Sequence, residues 1–393
     1  MSLPGVSYIL GNGSIGSVAT ADDRVGGMIM TGQTVAGPDK VTIGNAYQIF
    51  SLDDAIALGI EESGVNAYPY IQIKDFYTEA GSGKELWIML TSSLVTMAEM
   101  YDETDVYGPK LRDAAGGRIR LMAASRKSAP GITIADGLDE DVYDAMINGQ
   151  VFASSSADNF KPFRFLVDGK DWNGTVADLR DYSLETKNRG GVLIGASELT
   201  GANAAIGLLM GRWAGTPVQR KASRVKTGDV GLAAAYFTDE STTETFENSW
   251  DAIHDKGYIF FRTFGGKAGY FFTSDRTGTS TADDYSSFAR GFVIDKAIMI
   301  AYQVYVNEID DEISVDASGA ILPIVLKELQ GKVENAINIQ MVSKGELDGF
   351  TAFIDPNQNV VATGILKIKL RPQPVGYKTN IEIDMGYFNP ANS

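Results

Sequence analysis

Apolar and charged residues alternate most regularly between Gly364 and Tyr387. Leu366, Ile368 and Leu370 alternate with Lys367, Lys369 and Arg371, and after a break Ile381, Ile383 and Met385 alternate with Asn380, Glu382 and Asp384. A period of two predicts two strands, one with a basic outer face and one with an acidic face, able to lie side by side in one sheet. The linker Pro372 to Thr379 carries two prolines and a glycine. It is too long for a tight hairpin, so the last strand need not fold back and can reach another molecule. A shorter alternation, Val6, Tyr8 and Leu10, precedes the glycine run Gly11 to Gly16 and predicts an N-terminal arm on a flexible hinge.

Between these ends, strand-like and helix-like periods alternate from Val25 to about Thr200. Strands are predicted at Ala46–Phe50, Leu86–Leu90 and Ile119–Ala123, with short buried-type apolar runs at Phe163–Val167 and Gly191–Ile194. Helices are predicted after the Ser51/Asp54 capping box, over Tyr68–Tyr77 despite Pro69, and over Ser93–Tyr101, Pro109–Ala115, Asp139–Asn148 and Ala202–Trp213. This is α/β organisation with helices on both faces of a sheet. Beyond the acid-rich stretch Thr238–Trp250, aromatic strands at Tyr258–Thr263 and Gly269–Thr273 lead to two long helices. One starts at Asp284, capped by Asp283, and is apolar nearly all round; the other spans Leu322–Ser343 and stops at Gly345. The expected division is an arm over 1–23, an α/β domain over 24–250, a C-terminal α+β domain over 251–372, and a second arm over 373–393.

Composition removes most chemistry from this picture. With 393 residues, 44% of them hydrophobic, the chain can fill two real cores. The formal net charge of -16 opposes binding to nucleic acid or anionic membranes. Arg220, Lys221, Arg224 and Lys226 form the densest basic cluster; lacking interleaved aromatics beyond Trp213, it suits an acidic surface of a like subunit better than nucleic acid. There are no cysteines, which excludes disulfides, thiolate metal sites and cysteine nucleophiles. The single histidine, His254, lies in a polar stretch and reads as a helix-end residue. Met1 to Leu10 has no signal-peptide pattern and no later run has the length of a membrane span, so folding in the cytoplasm is expected.

Several near-motifs fail on context. Gly11–Gly16 matches G-x-G-x-x-G but no amphipathic helix follows to receive a pyrophosphate. Gly81-Ser82-Gly83-Lys84 lacks the first P-loop glycine and has Glu85 at the magnesium-binding position. Gly195-Ala196-Ser197-Glu198-Leu199 lacks the final glycine of a nucleophile elbow. Asp355, Asn357 and Asn359 lack the glycine and glutamate of a calcium loop and read as a turn, and the acidic corner Glu308–Glu312 reads as solvated. No catalytic, cofactor or metal residue is assigned.

The order of parts resembles contractile tail sheath proteins, the polymerising subunits of myophage tails, R-type tailocins and related injection particles. The likeness rests on Leu3-Pro4-Gly5-Val6, Ser51-Leu52-Asp53-Asp54-Ala55, Asp75-Phe76-Tyr77 before glycines and the strand Glu85–Leu90, and Gly211-Arg212-Trp213-Ala214 with Pro217-Val218. It continues from Gly257-Tyr258-Ile259 through two long helices to a terminal β pair. The chain departs by having Val306-Asn307-Glu308 where many sheath proteins place an Asn-Pro segment. The resemblance implies a non-enzymatic subunit with an outer α/β domain and a C-terminal sheath core domain. It also implies stacked hexameric rings around an inner tube, with baseplate and terminator proteins as further partners, in a virion tail or injection particle. The terminal arms, Val6, Tyr8 and Leu10 at one end and Ile381, Ile383 and Met385 at the other, would add strands to neighbouring sheets. The acceptor strand would be Leu366, Ile368 and Leu370, and Lys327 and Lys332 are candidates to face the tube. Two other readings stay open: an α/β hydrolase or nucleotide enzyme using Ser197 or Gly11–Gly16, and a non-contractile surface polymer.

Overall fold

A computed structural model of the chain describes residues 24–104 and 106–386. The arm residues Val6, Tyr8 and Leu10 and the run Gly11–Gly16 lie outside the described residues. Six strands form the main sheet: β1 Gly26–Thr31, β2 Ala46–Ile49, β3 Leu86–Thr91, β4 Leu121–Ser125, β5 Arg164–Asp168 and β6 Gly190–Leu193. Their order is β2-β3-β1-β4-β5-β6, parallel except for β2 at the edge. Successive residues of the central strands point to opposite faces, and both faces are covered. Met28, Met30, Ile88, Leu90 and Leu166 enter one core, while Ile29, Met89, Met122, Phe165 and Val167 enter the other. That double burial is why β3, β4 and β5 read as nearly unbroken apolar runs.

Helices α1 Ala67–Ala80 and α3 Ile206–Gly215 cover the first face, and α2 Glu140–Asp158 covers the second. Pro69 sits in the first turn of α1, where its missing N–H breaks no helical hydrogen bond. The α1–α3 contact is unusually close. A Cβ added to Gly207, Gly211 or Gly215 would meet the carbonyl oxygens of Gln72, Phe76 and Glu79 at 1.9, 2.4 and 2.9 Å. Within the same motif, Arg212 Nε donates to Glu79 at 2.6 Å, and Trp213 packs 4.4 Å from the ring of Phe288. The Gly211-Arg212-Trp213 run thus joins α1, α3 and the next long helix.

That helix, α4 Phe288–Tyr305, starts later than expected, because Ser287, not Asp283, accepts the capping N–H of Arg290. Asp283 instead closes a turn with the N–H of Tyr285. The Ser93–Tyr101 helix is likewise shorter, Met97–Met100, with a full Thr96/Glu99 capping box, whereas α2 runs ten residues beyond the expected Asn148. The last long helix, α5 Pro323–Gln340, ends before a turn that closes on Gly345 in the left-handed region. An aromatic hairpin, β7 Phe261–Phe264 with β8 Lys267–Phe272, bridges onto the sheet through Ile259 and Leu193. The first core runs unbroken from the sheet through Phe288, Phe292 and Ile300 of α4 to Val333 and Ile337 of α5.

Candidate functional site

α5 carries a two-stranded ribbon, β9 Leu347–Ile354 antiparallel to β10 Ile368–Pro374. Phe350, Ala352 and Ile354 turn inward onto α5 with Ile368 and Leu370, while Thr351, Phe353, Lys369 and Arg371 face outward. Arg371 lies over the Phe353 ring at 5.9 Å. This corrects the sequence expectation on two counts. Within the chain the basic strand pairs with β9, a strand that the sequence reading did not include. The strand itself begins at Ile368, leaving Leu366 before it, and runs through Pro372 and Pro374, which the linker was expected to hold. Leu366 packs instead against the small cluster of Ile321, Leu326, Leu329 and Ile354.

Prolines inside a strand require an explanation, and the register supplies one. Ala352 stands opposite Leu370. The Ala352 N–H points away from β10, because it donates to Glu334 Oε1 of α5 at 2.8 Å. Residues opposite one another in an antiparallel pair share their direction, so Leu370 also turns its N–H away from its partner. Along β10 that direction repeats at Ile368, Pro372 and Pro374. The two prolines therefore lie on the unpaired margin of the ribbon, where the ladder loses no bond. Among the described residues no strand pairs with that margin.

Past Pro374 the chain leaves the ribbon and crosses to the loop after α3. Tyr377 donates to the Gln219 carbonyl at 2.6 Å, and the Lys221 ammonium lies 4.8 Å from its ring centre. Gln219 Nε2 in turn donates to the Gly345 carbonyl at 3.0 Å. Burial pushes the Tyr377 phenol well above its ordinary range. Beneath this crossing lies a cavity of about 280 Å³ lined by Arg290, Val293, Ile294, Leu347, Pro372 and Tyr377, among others. Ile381, Ile383 and Met385 then stand in neither helix nor strand, 74%, 77% and 86% exposed. Three large apolar side chains in a row with no cover mark an unfinished contact.

The remaining candidates are dispersed. Lys327 is exposed on α5, and Lys332 on the same helix is held by Glu308 at 2.9 Å and Glu328 at 3.1 Å. Ser197 donates to Asp75 at 2.8 Å, and burial pushes the Asp75 carboxyl up to about 6. At the carboxyl ends of β4 and β5, Asp168 accepts from Ser125, Asn203 and the Ala204 N–H. His254 stands in the last turn of the Trp250–Asp255 helix, as expected of a helix-end residue. Asp355 accepts the Asn357 N–H at 3.0 Å and makes the expected turn. The acidic corner Asp310–Glu312 is exposed. No metal-binding group of His, Cys, Asp or Glu occurs among the described residues.

The ribbon's first strand was missed by sequence reasoning, although Phe350, Ala352 and Ile354 alternate with Thr351 and Asp355. Phe353 on the outer face and the irregular register at Gly349 blur the period.

Comparison with known proteins agrees with this architecture. Residues 3–276 match the profile described as DUF2586, N-terminal domain, and residues 284–392 match DUF2586, C-terminal domain. The boundary between them falls just ahead of α4. No curated protein sequence matches the chain. Among solved structures, the anti-feeding prophage helical sheath in its contracted state aligns with 99% of this chain and 99% of its own at 15% identity, with a TM-score of 0.64. The sheath complex of the extracellular contractile injection system PVC, also contracted, aligns with 100% and 99% at 14% identity, with a TM-score of 0.59. A six-fold symmetrised anti-feeding prophage baseplate structure contains a chain with a TM-score of 0.62, 15% identical over 99% of this chain and 100% of that one. At these identities the shared property is the fold, end to end.

Proposed function

The chain belongs to the DUF2586 family, and on that premise we propose that it is a structural subunit of a contractile tail sheath and performs no catalysis. The subunits form stacked hexameric rings around an inner tube and contract by repacking body against body. Residues 1–23 and 373–393 act as arms that keep β-strand links to neighbouring copies throughout. The body between them divides into an outer α/β domain and a C-terminal sheath core domain. Its partners are further copies of itself, the inner tube, and the baseplate and terminator proteins, in a particle assembled in the cytoplasm.

One observation carries this reading: a ribbon with an unpaired margin shares a chain with an exposed segment of matching alternation that stays off that ribbon. Lys367, Lys369 and Arg371 on the acceptor side complement Glu382 and Asp384 on the donor side. Donor and acceptor are different surfaces, so the contact is heterologous and propagates instead of closing. The end-to-end likeness in fold to contracted sheaths supports the same reading.

Electron microscopy of the purified protein tests it. Tubes of two diameters are expected from the intact chain, and a chain stopped after Lys378 should remain folded but form none. Unchanged tubes from the shortened chain would refute the role of the arm, and a single lattice geometry under all conditions would favour the non-contractile polymer.

A further inference from the structure

We infer that Tyr377, together with Pro372 and Pro374, makes the tail pair with a second copy and not with its own ribbon; this rests on the arm reading above. Residues 375–380 are long enough to loop back, and Ile381–Met385 has the right alternation to cover the margin of β10. Returning by that shortest loop, the tail would place Ile381 opposite Pro374, Ile383 opposite Pro372 and Met385 opposite Leu370, with all apolar side chains on the buried face. Every one of those acceptor positions turns its backbone groups toward the open margin, as the Ala352–Leu370 register requires. Two of the three are prolines, which have no N–H to give.

The folded-back register thus meets the margin where it cannot donate. A tail arriving from another copy is not bound to that register, and it can slide to the half that holds the Ile368 and Leu370 N–H groups beside Lys367 and Lys369. Tyr377 acts in the same direction. Its bond to the Gln219 carbonyl and its contact with Lys221 fasten the chain to the loop after α3, three residues past the strand and at the wall of the cavity. A tail fastened there starts away from its own ribbon. Tyr377 is a positioning residue, and the prolines determine specificity.

The absence of native cysteines allows a clean test. Lys369→Cys and Glu382→Cys are introduced together and joined with a bismaleimide long enough to span the four residues of strand, roughly 13 Å, that separate these positions in the folded-back register. Products are then resolved as internally looped monomers or as ladders of linked copies. Ladders are expected in the parent. Tyr377→Ala with Pro372→Thr and Pro374→Thr restores two donors and removes one hydrogen bond, each shifting the balance by about fivefold, so the ratio of loops to ladders should rise about a hundredfold. Tyr377→Phe alone, which keeps the ring in place, should shift it about fivefold. Ladders undiminished in the triple variant, or loops already dominant in the parent, would overturn the proposal. A parent that yields neither ladders nor tubes would instead overturn the arm reading beneath it.

Discussion

Removal of the Asp295 carboxylate should destabilise the body strongly. Arg164 of β5 and Asp295 of α4 form a forked pair, Nε to Oδ2 at 2.8 Å and Nη2 to Oδ1 at 3.2 Å, with their side chains 2% and 4% exposed. Arg189 reaches the same carboxylate at 3.4 Å. Asp295→Ala therefore leaves two cations facing each other in a dry site. Arg164 keeps the carbonyls of Asn188 and Gly291 as acceptors at 2.9 and 3.2 Å, which moderates the loss but leaves its Nε without a partner. Breaking one side of a buried pair costs about 3–5 kcal/mol, and the two retained carbonyls place this case near the lower figure.

The assay is urea unfolding followed by tryptophan fluorescence, with a double-mutant cycle. Asp295→Ala should lower the midpoint markedly, Asp295→Asn less, and Arg164→Met combined with Asp295→Leu should recover most of the loss, because an apolar replacement of the whole pair removes its desolvation penalty. A shift below about 0.5 kcal/mol for Asp295→Ala, or a double variant as weak as the single, would refute the argument that this pair pins the sheet to α4.

Three further outcomes follow from the same geometry. Asp75 titrates near 6 in the fold and near 3.8 when unfolded, so its contribution is most favourable below pH 4 and is lost as pH rises to 6; Asp75→Asn should raise stability at pH 7.5 by up to about 3 kcal/mol, with the gain vanishing in acid melts. Gly207→Ala puts a methyl group 1.9 Å from the Gln72 carbonyl and should cost about 3 kcal/mol by forcing α1 and α3 apart, seen as a lower thermal midpoint. Glu334→Ala uncovers the Ala352 N–H and should cost about 1 kcal/mol, with hydrogen exchange at Ala352 accelerating while exchange in β4 stays unchanged.

β3, β4 and β5 were legible because they are buried on both faces, leaving apolar runs whose lengths fit strands, whereas the central strand β1, Gly26–Thr31, was not picked out. Helix starts were legible where a side chain caps them, at Ser51 and Asp139, and misjudged where two candidates compete, as at Asp283 and Ser287. The close contact of α1 with α3 was hidden, since Gly207, Gly211 and Gly215 look like helix weakeners until the facing carbonyls are seen. At the ribbon, alternation located β10 but not its end. Proline argues against a strand only if both margins are paired, and sequence does not say which margin is open. The partner within the chain was not foreseen for a related reason: Ile381–Met385 has the cleaner alternation, whereas β9 carries an irregularity at Gly349.

On the arm reading, the strength of a single link can be bounded. Four to six backbone hydrogen bonds at about 1 kcal/mol each, with roughly 2 kcal/mol for covering each of Ile381, Ile383 and Met385, give about 10–12 kcal/mol of gross attraction. Ordering the six residues Asn380 to Met385, which are irregular and exposed in the single chain, opposes this by about 6–9 kcal/mol. Only a few kcal/mol remain, before the cost of bringing two molecules together. One arm alone therefore cannot hold two copies at micromolar concentration; the link persists only where body contacts or a second arm already hold the copies side by side. Assembly must then be cooperative, with a lag that a preformed template abolishes. A joint of that strength also fits a lattice whose bodies change packing, because each strand stays seated while its neighbours restrain it.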